Sequence, residues 1–250
     1  AKEFILPKEL LEQDCVISLS KMKTHALERI TGAVKNSYGF IYGFHKAKGH
    51  TQYPSADSFA RMLIDLNKCV APKLYVMDGI VAMEGNGPGS GDPVPMNVLL
   101  MSTDPVALDS VFSRLVYLKP EMVPTNYHGE KMGLGTWKEE EITLLTPDGE
   151  ISMAEAVKKY GNPAFNVDRT EVRKNIWTRM AGALNIFQKK PYIEADKCVR
   201  CGICVQSCPV PGKAVDFRKG KGKPPVYDYR KCIRCFCCQE MCPKKAIKVK

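Results

Sequence analysis

Nine of the eleven cysteines lie in the last sixty residues, in two copies of one pattern. Cys198-x-x-Cys201-x-x-Cys204-x-x-x-Cys208-Pro209 is followed by Cys232-x-x-Cys235-x-x-Cys238-x-x-x-Cys242-Pro243. Cysteines two residues apart, three in a row, place three thiolates around one small inorganic core, and the proline fixes the turn on which the fourth departs. Zinc also takes paired cysteines in fours. The third cysteine at the same short interval and the proline after the fourth, both occurring twice, favour iron–sulfur clusters. The opening stretch, AKEFILPKELLEQD, has no apolar core of a secretory signal. The cysteines are therefore expected in a reducing, cytoplasmic setting, as ligands rather than disulfides. A module of sixty residues buries little apolar surface, so its folding should depend on metal.

The charge is as unevenly spread as the cysteine. The chain of 250 residues carries a formal surplus of +10, and residues 191–250 hold 14 Lys and Arg against 5 Asp and Glu. Eight thiolates and two oxidised cluster cores of roughly +2 each would reduce that local surplus to roughly +5. Lys213, Arg218, Lys219, Lys221, Lys223, Lys244, Lys245, Lys248 and Lys250 make up most of it. No aromatic-interleaved basic groove accompanies them, so nucleic acid is not an expected partner. An acidic redox partner is. No apolar run of membrane-spanning length occurs, and LYVMDGIVAM is interrupted by Asp78 and Gly79.

Residues 1–168 alternate between strand-like and helix-like segments, which predicts an α/β domain with a mainly parallel sheet. Residues 15–19 and 73–83 read as strands, and residues 24–36 as helix. In residues 55–70, Phe59, Met62, Leu63, Leu66 and Val70 recur at helical spacing. Residues 85–95 read as a Gly- and Pro-rich loop and 98–102 as the next strand. Asp104-Pro105 opens a helix with an N-cap acid and a proline in its first turn. Residues 141–146 read as a strand, 147–149 as a turn and 151–160 as a short helix. Residues 169–190 read as a basic connecting helix with Trp177, Met180, Leu184 and Phe187 on one stripe. A small α+β module at 191–250 completes the chain.

Polar residues gather where strands end, the position at which open α/β sheets bind ligands. Lys21, Lys23 and His25 follow the first strand, and Lys35, Asn36, His45, Lys46, Lys48 and His50 come soon after. The loop from Glu84 through Gly85, Gly87 and Asp92 can bring backbone N–H groups to a ligand. We take His25, Lys35 and Glu84 as catalytic candidates. Lys21, Lys23, His50, Asp78, Gly85 and Gly87 are candidates for binding a small anionic substrate. Asp104 reads as a helix cap, and Asp109, one turn on, as exposed or paired. Cys237, inside the second repeat, reads as a small buried filler, and Cys15 and Cys69 carry no assigned role.

Residues 191–250 resemble the bacterial double-cluster ferredoxins. That resemblance implies two [4Fe–4S] clusters with exchanged fourth ligands. Cys198, Cys201, Cys204 and Cys242 would hold one, and Cys232, Cys235, Cys238 and Cys208 the other. Residues 1–120 resemble the family catalogued as domain of unknown function 362, whose members often carry a ferredoxin tail. Ser20-Lys21-Met22-Lys23-Thr24-His25, Thr31-Gly32-Ala33-Val34-Lys35-Asn36, Met77–Pro88 and Ser102–Asp109 carry the likeness. Members usually begin with a further α/β stretch, so the chain reads as a short natural form or a fragment. Electron transfer to or from an anionic-ligand site in the first domain is the expected function. A ferredoxin-type adaptor whose first domain only docks proteins is the alternative, and clusters with a purely structural role are a third.

Overall fold

The computed structural model describes all residues except 2, 43, 44, 172–188, 219 and 250, and all side chains among them except those of Ala47 and Lys48. The chain forms two compact units, Ala1–Asp168 and Arg169–Lys250. The helix expected over residues 169–190 lies almost wholly outside the described residues.

In the first unit, β1 (Ile17–His25), β2 (Arg29–Thr31), β3 (Leu74–Glu84) and β4 (Asp92–Ser102) form one sheet in the order β2-β1-β3-β4. Only β1 and β3 run parallel; β1–β2 and β3–β4 are antiparallel. The sheet is thus mixed, not mainly parallel. The reason is local: both antiparallel partners follow their strands through short connections that only reverse the chain. The helix expected over residues 24–36 is replaced by the end of β1, a tight turn, β2 and the four-residue α2 (Ala33–Asn36). The loop expected over residues 85–95 ends at Gly91, and β4 takes up Pro93 and Pro95. β4 is an edge strand, where a residue without an N–H removes no ladder bond. The strand expected over 141–146 is a hairpin, Leu144–Thr146 with Gly149–Ile151, across Pro147 and Asp148.

α4 (Ala56–Val70) forms where the apolar period predicts it. Phe59, Met62, Leu63 and Leu66 are all at most 3% exposed, each such side chain contributing roughly 1.5–3 kcal/mol of burial. Ser55 caps it in a reciprocal bond with Ser58, and Ala71 ends it at φ 47°. α5 (Pro105–Leu115) starts at Asp104, whose Oδ1 accepts the Val106 and Ala107 N–H bonds at 2.7 and 2.9 Å. Of the two expectations for Asp109, exposed or paired, the structure has the second, and the residue is fully buried. Its carboxylate accepts the Ala33 and Val34 N–H bonds at 2.5 and 3.1 Å, holding the N-terminus of α2. Gly32 is needed there, because a Cβ would lie 1.9 Å from Asp109 Oδ1. Asn67 ties α4 to its neighbours, donating to the Val34 carbonyl and accepting from Ser37 and Tyr75.

One sheet face, with Met22, Tyr75, Met77 and Val98, belongs to the core. On the other face the register aligns Leu19, Val76 and Met101, and beside them Lys21, Asp78 and Leu99. Leu19 is 73% exposed and Met101 63%.

The second unit is built of two-stranded ladders. β7 (Pro191–Ile193) pairs with β10 (Ile247–Val249), and β8 (Val215–Asp216) with β9 (Val226–Tyr227), all antiparallel. Short helices at Ile203–Gln206 and Cys237–Glu240 follow the second cysteine of each repeat. Among the described residues no helix is long and apolar enough to cross a membrane.

Candidate metal centres

The two cysteine repeats impose the same backbone twice, 34 residues apart. Arg200 and Arg234 both adopt positive φ, at 59° and 57°, just before the second cysteine. Gly202 and Phe236 do so just after it, at 78° and 61°. Phenylalanine is held there against a left-handed penalty of roughly 1–2 kcal/mol. Its buried ring lines a cavity and offsets that cost. These turns point successive thiols inward instead of along a helix.

Two cavities result. The first is lined by Cys198, Cys201, Cys204 and Cys242, with Ile193, Ile247 and Lys244. The second is lined by Cys208, Cys232, Cys235 and Cys238, with Val215, Tyr227 and Phe236. Each therefore takes three cysteines from one repeat and one from the other. Among the described residues, no three Cys, His, Asp or Glu side chains converge closely enough to hold a single ion. Four thiols lining one cavity form a ligand set of the size a [4Fe–4S] cluster would take.

The sulfurs also receive hydrogen bonds. Ala214 N–H donates to Cys208 Sγ and Ala246 N–H to Cys242 Sγ, both at 3.3 Å. The Tyr227 hydroxyl donates to Cys238 Sγ at 3.1 Å. Burial pushes the Tyr227 hydroxyl far above the usual phenol range, so it remains a donor. Burial likewise pushes the Cys204 thiol up to about 11 and raises Cys232 and Cys238. Bare thiolates are disfavoured here, and a bound cation would reverse that. Cys237 is absent from the cavity walls. Its thiol bonds to that of Cys235, lowering Cys235 and raising itself. Cys15 and Cys69 are exposed rather than buried.

The basic residues of this unit divide in two. Lys213 Nζ donates to the Cys208 carbonyl at 2.7 Å and Arg218 pairs with Asp228 at 3.4 Å, so both act within the fold. Lys221, Lys223, Lys244 and Lys245 are exposed.

At the polar end of the first unit's sheet, the candidates are committed to local structure. His25 Nδ1 accepts the Leu27 and Glu28 N–H bonds at 3.2 and 3.0 Å and closes the β1–β2 turn. Lys21 pairs with Asp78 at 2.5 Å on the exposed sheet face, and that bond holds the Asp78 carboxyl below its usual range. Glu84 Oε2 accepts the Asn166 N–H at 2.7 Å. Gly85 adopts φ 71°, and its carbonyl accepts from Thr24 Oγ1. Gly87 packs so closely that a Cβ would lie 2.2 Å from the Thr24 carbonyl oxygen. The 85–91 loop is thus packed on β1. Lys23 stands on β1 beside Thr31 and Met83. Lys35 lies on α2 and acts on Glu28. His50 is buried, stacked on Phe59 at 4.5 Å and edge-on to Tyr38.

Sequence reasoning missed Glu28, fully buried with neither carboxylate oxygen hydrogen-bonded. Burial holds it well above the usual carboxylate range, with Lys35 opposing and Asp57 adding to the shift. No spacing signals it, because it sits in a three-residue turn. Tyr227 was also missed, although its signal is present: 34 residues earlier the repeat has Ile193.

Residues 1–114 match the family described as domain of unknown function (DUF362), and residues 190–243 match the 4Fe-4S dicluster domain. A thylakoid-associated protein of Synechocystis sp. is 42% identical to the chain over 130 residues. That match spans 52% of this chain but 40% of the Synechocystis protein's length. No solved structure matches the chain.

Proposed function

We propose that the chain is a one-electron carrier whose dicluster domain holds two [4Fe–4S] clusters and exchanges electrons with a partner presenting an acidic surface. The observation that carries this reading is the pair of four-cysteine cavities, each drawing on both repeats. When bound, such clusters take up and release single electrons. The chain's own residues supply the thiolates, donate N–H and O–H bonds to sulfurs that include Cys208, Cys238 and Cys242, and shield the second set from water. Exposed Lys221, Lys223 and Lys244 suit an acidic partner, since complementary charge speeds encounter more than it tightens the complex. Thiolate ligation suits a reducing, cytoplasmic-type compartment. The thylakoid association of the Synechocystis protein is compatible with docking at a membrane surface facing one. Anaerobic reconstitution should give about eight irons per chain and a signal in electron paramagnetic resonance after reduction. Failure to retain iron would sink the reading.

Glu28 favours a second role for the DUF362 domain. A buried, unbonded carboxyl beside Lys35 and next to His25 is a polar group without a structural duty of its own. The positive charge of Lys35, next to that carboxyl, is what we take to draw a small anionic ligand, to which the clusters would deliver electrons. Calorimetric titration of the reconstituted chain with inorganic phosphate should show binding that Lys35→Gln abolishes. No heat from the unsubstituted chain would reduce this domain to a docking element.

A further inference from the structure

The two cluster cavities are related by the 34-residue repeat, so a residue that breaks the repeat inside a cavity must distinguish the two centres. Ile193 lines the first cavity and Tyr227, its counterpart, lines the second. The Ala214 and Ala246 N–H bonds to Cys208 and Cys242 Sγ are matched at the same 3.3 Å, while Cys237, whose counterpart 34 residues earlier is Ile203, adds a thiol contact to Cys235 on the second side. The Tyr227 hydroxyl, 3.1 Å from Cys238 Sγ, has no counterpart at Ile193. Its ring is fixed from behind: Tyr229 stacks on it at 5.6 Å with planes 14° apart, and the Tyr229 hydroxyl donates to the Pro191 carbonyl at 2.8 Å.

Burial distinguishes the centres in the opposite sense. In the second set Cys208, Cys235 and Cys238 are buried, whereas in the first only Cys204 is, and Cys201 is exposed. Reduction adds one negative charge to an already anionic cluster. A drier cavity opposes that charge, and a donor hydrogen bond to a ligand sulfur favours it. We propose that Tyr227 is a positioning residue that raises the reduction potential of the second cluster, offsetting its deeper burial and keeping the two centres close enough in potential to share an electron. One electron is gained or lost, and the hydroxyl proton stays on Tyr227 throughout.

This inference rests on the iron–sulfur reading, and one experiment separates their failures. The reconstituted full chain is titrated potentiometrically under electron paramagnetic resonance, as wild type, Tyr227→Phe and Tyr229→Phe. A chain without iron refutes the reading itself. With iron bound, Tyr227→Phe should make one of the two couples harder to reduce by about tenfold, which is about 59 mV for one electron. The other couple should stay in place, and Tyr229→Phe should move neither. Unmoved potentials in Tyr227→Phe, or an equal shift in Tyr229→Phe, overturn the inference. Should Tyr227→Phe lose iron, 3-fluorotyrosine at position 227 keeps the shape and makes the hydroxyl a stronger donor. The same couple should then rise, and a fall or no change overturns the proposal.

Discussion

Asp109 joins the two helices that frame the DUF362 domain's polar end, and its charge can be read out through stability. Burial pushes its carboxyl from 3.8 up to about 7, despite the Ala33 and Val34 N–H bonds that favour the ionised form. A carboxyl whose folded value is raised binds a proton that the unfolded chain has already released. Its stabilising contribution is complete below about pH 4 and is lost as pH rises to about 7. At about 1.4 kcal/mol for each pH unit, the whole window amounts to about 4 kcal/mol. That is a large share of the 5–15 kcal/mol typical of a domain. Clusters tolerate acid poorly, so the useful range is about pH 5.5 to 8, where about 2 kcal/mol should be lost before the curve levels. Asp109→Asn removes the titration. It also presents an amide N–H to a backbone N–H, at a pH-independent cost of about 1–3 kcal/mol. Hydrogen exchange of peptides spanning β1–α2 and α5, compared between wild type and variant at each pH, isolates the effect, because Glu28 is common to both. The reasoning fails if Asp109→Asn keeps the wild-type slope, or if wild type gains stability from pH 5.5 to 7.

The exchanged ligand sets predict a pattern of iron loss. Cys198→Ala with Cys242→Ala should cost about four irons, no more than either alone, whereas Cys242→Ala with Cys232→Ala should cost about eight. Iron and sulfide analysis distinguishes the two pairings. Gly87→Ala should push the 85–91 loop off Thr24 at a cost of about 1–3 kcal/mol, seen as faster exchange at residues 85–91 with iron content unchanged. Ser152→Ala should remove the capping box that Ser152 forms with Glu155. That loss of about 1 kcal/mol should appear as a lower melting temperature.

What could be read from the sequence depended on how locally each feature is specified. The cysteines group into sets from spacing and the ferredoxin resemblance, because the turns between them involve a few residues each. α4 and the start of α5 follow from periodicity and from the caps at Ser55 and Asp104. The sheet was harder. β1 and β3 pair across more than fifty residues, and nothing within either strand states that its second neighbour runs antiparallel. His25 resembles a catalytic base in sequence because its bonds to Leu27 and Glu28 depend on a turn that only β2 reveals. Asp109 reads as either exposed or paired because its partners are backbone N–H groups of a four-residue helix, which no side-chain pattern records. Lys21 and Asp78 were both candidates, yet the parallel register sets them side by side as each other's counter-charge.

The crossed ladders of the second unit bear on where such a module could have come from. β7 and β8 belong to the first repeat and β9 and β10 to the second, and each ladder joins one strand of each. Every two-stranded sheet and every cysteine set therefore takes members from both repeats. One repeat alone would leave its strands without partners and its core one thiolate short. A peptide of a single repeat could complete the same arrangement only by clasping a second copy of itself. The 34-residue offset between Cys198 and Cys232 then reads as the trace of two such chains later joined end to end. Within that fused pair, the exchange of Ile193 for Tyr227 marks where two once-equal halves became free to differ.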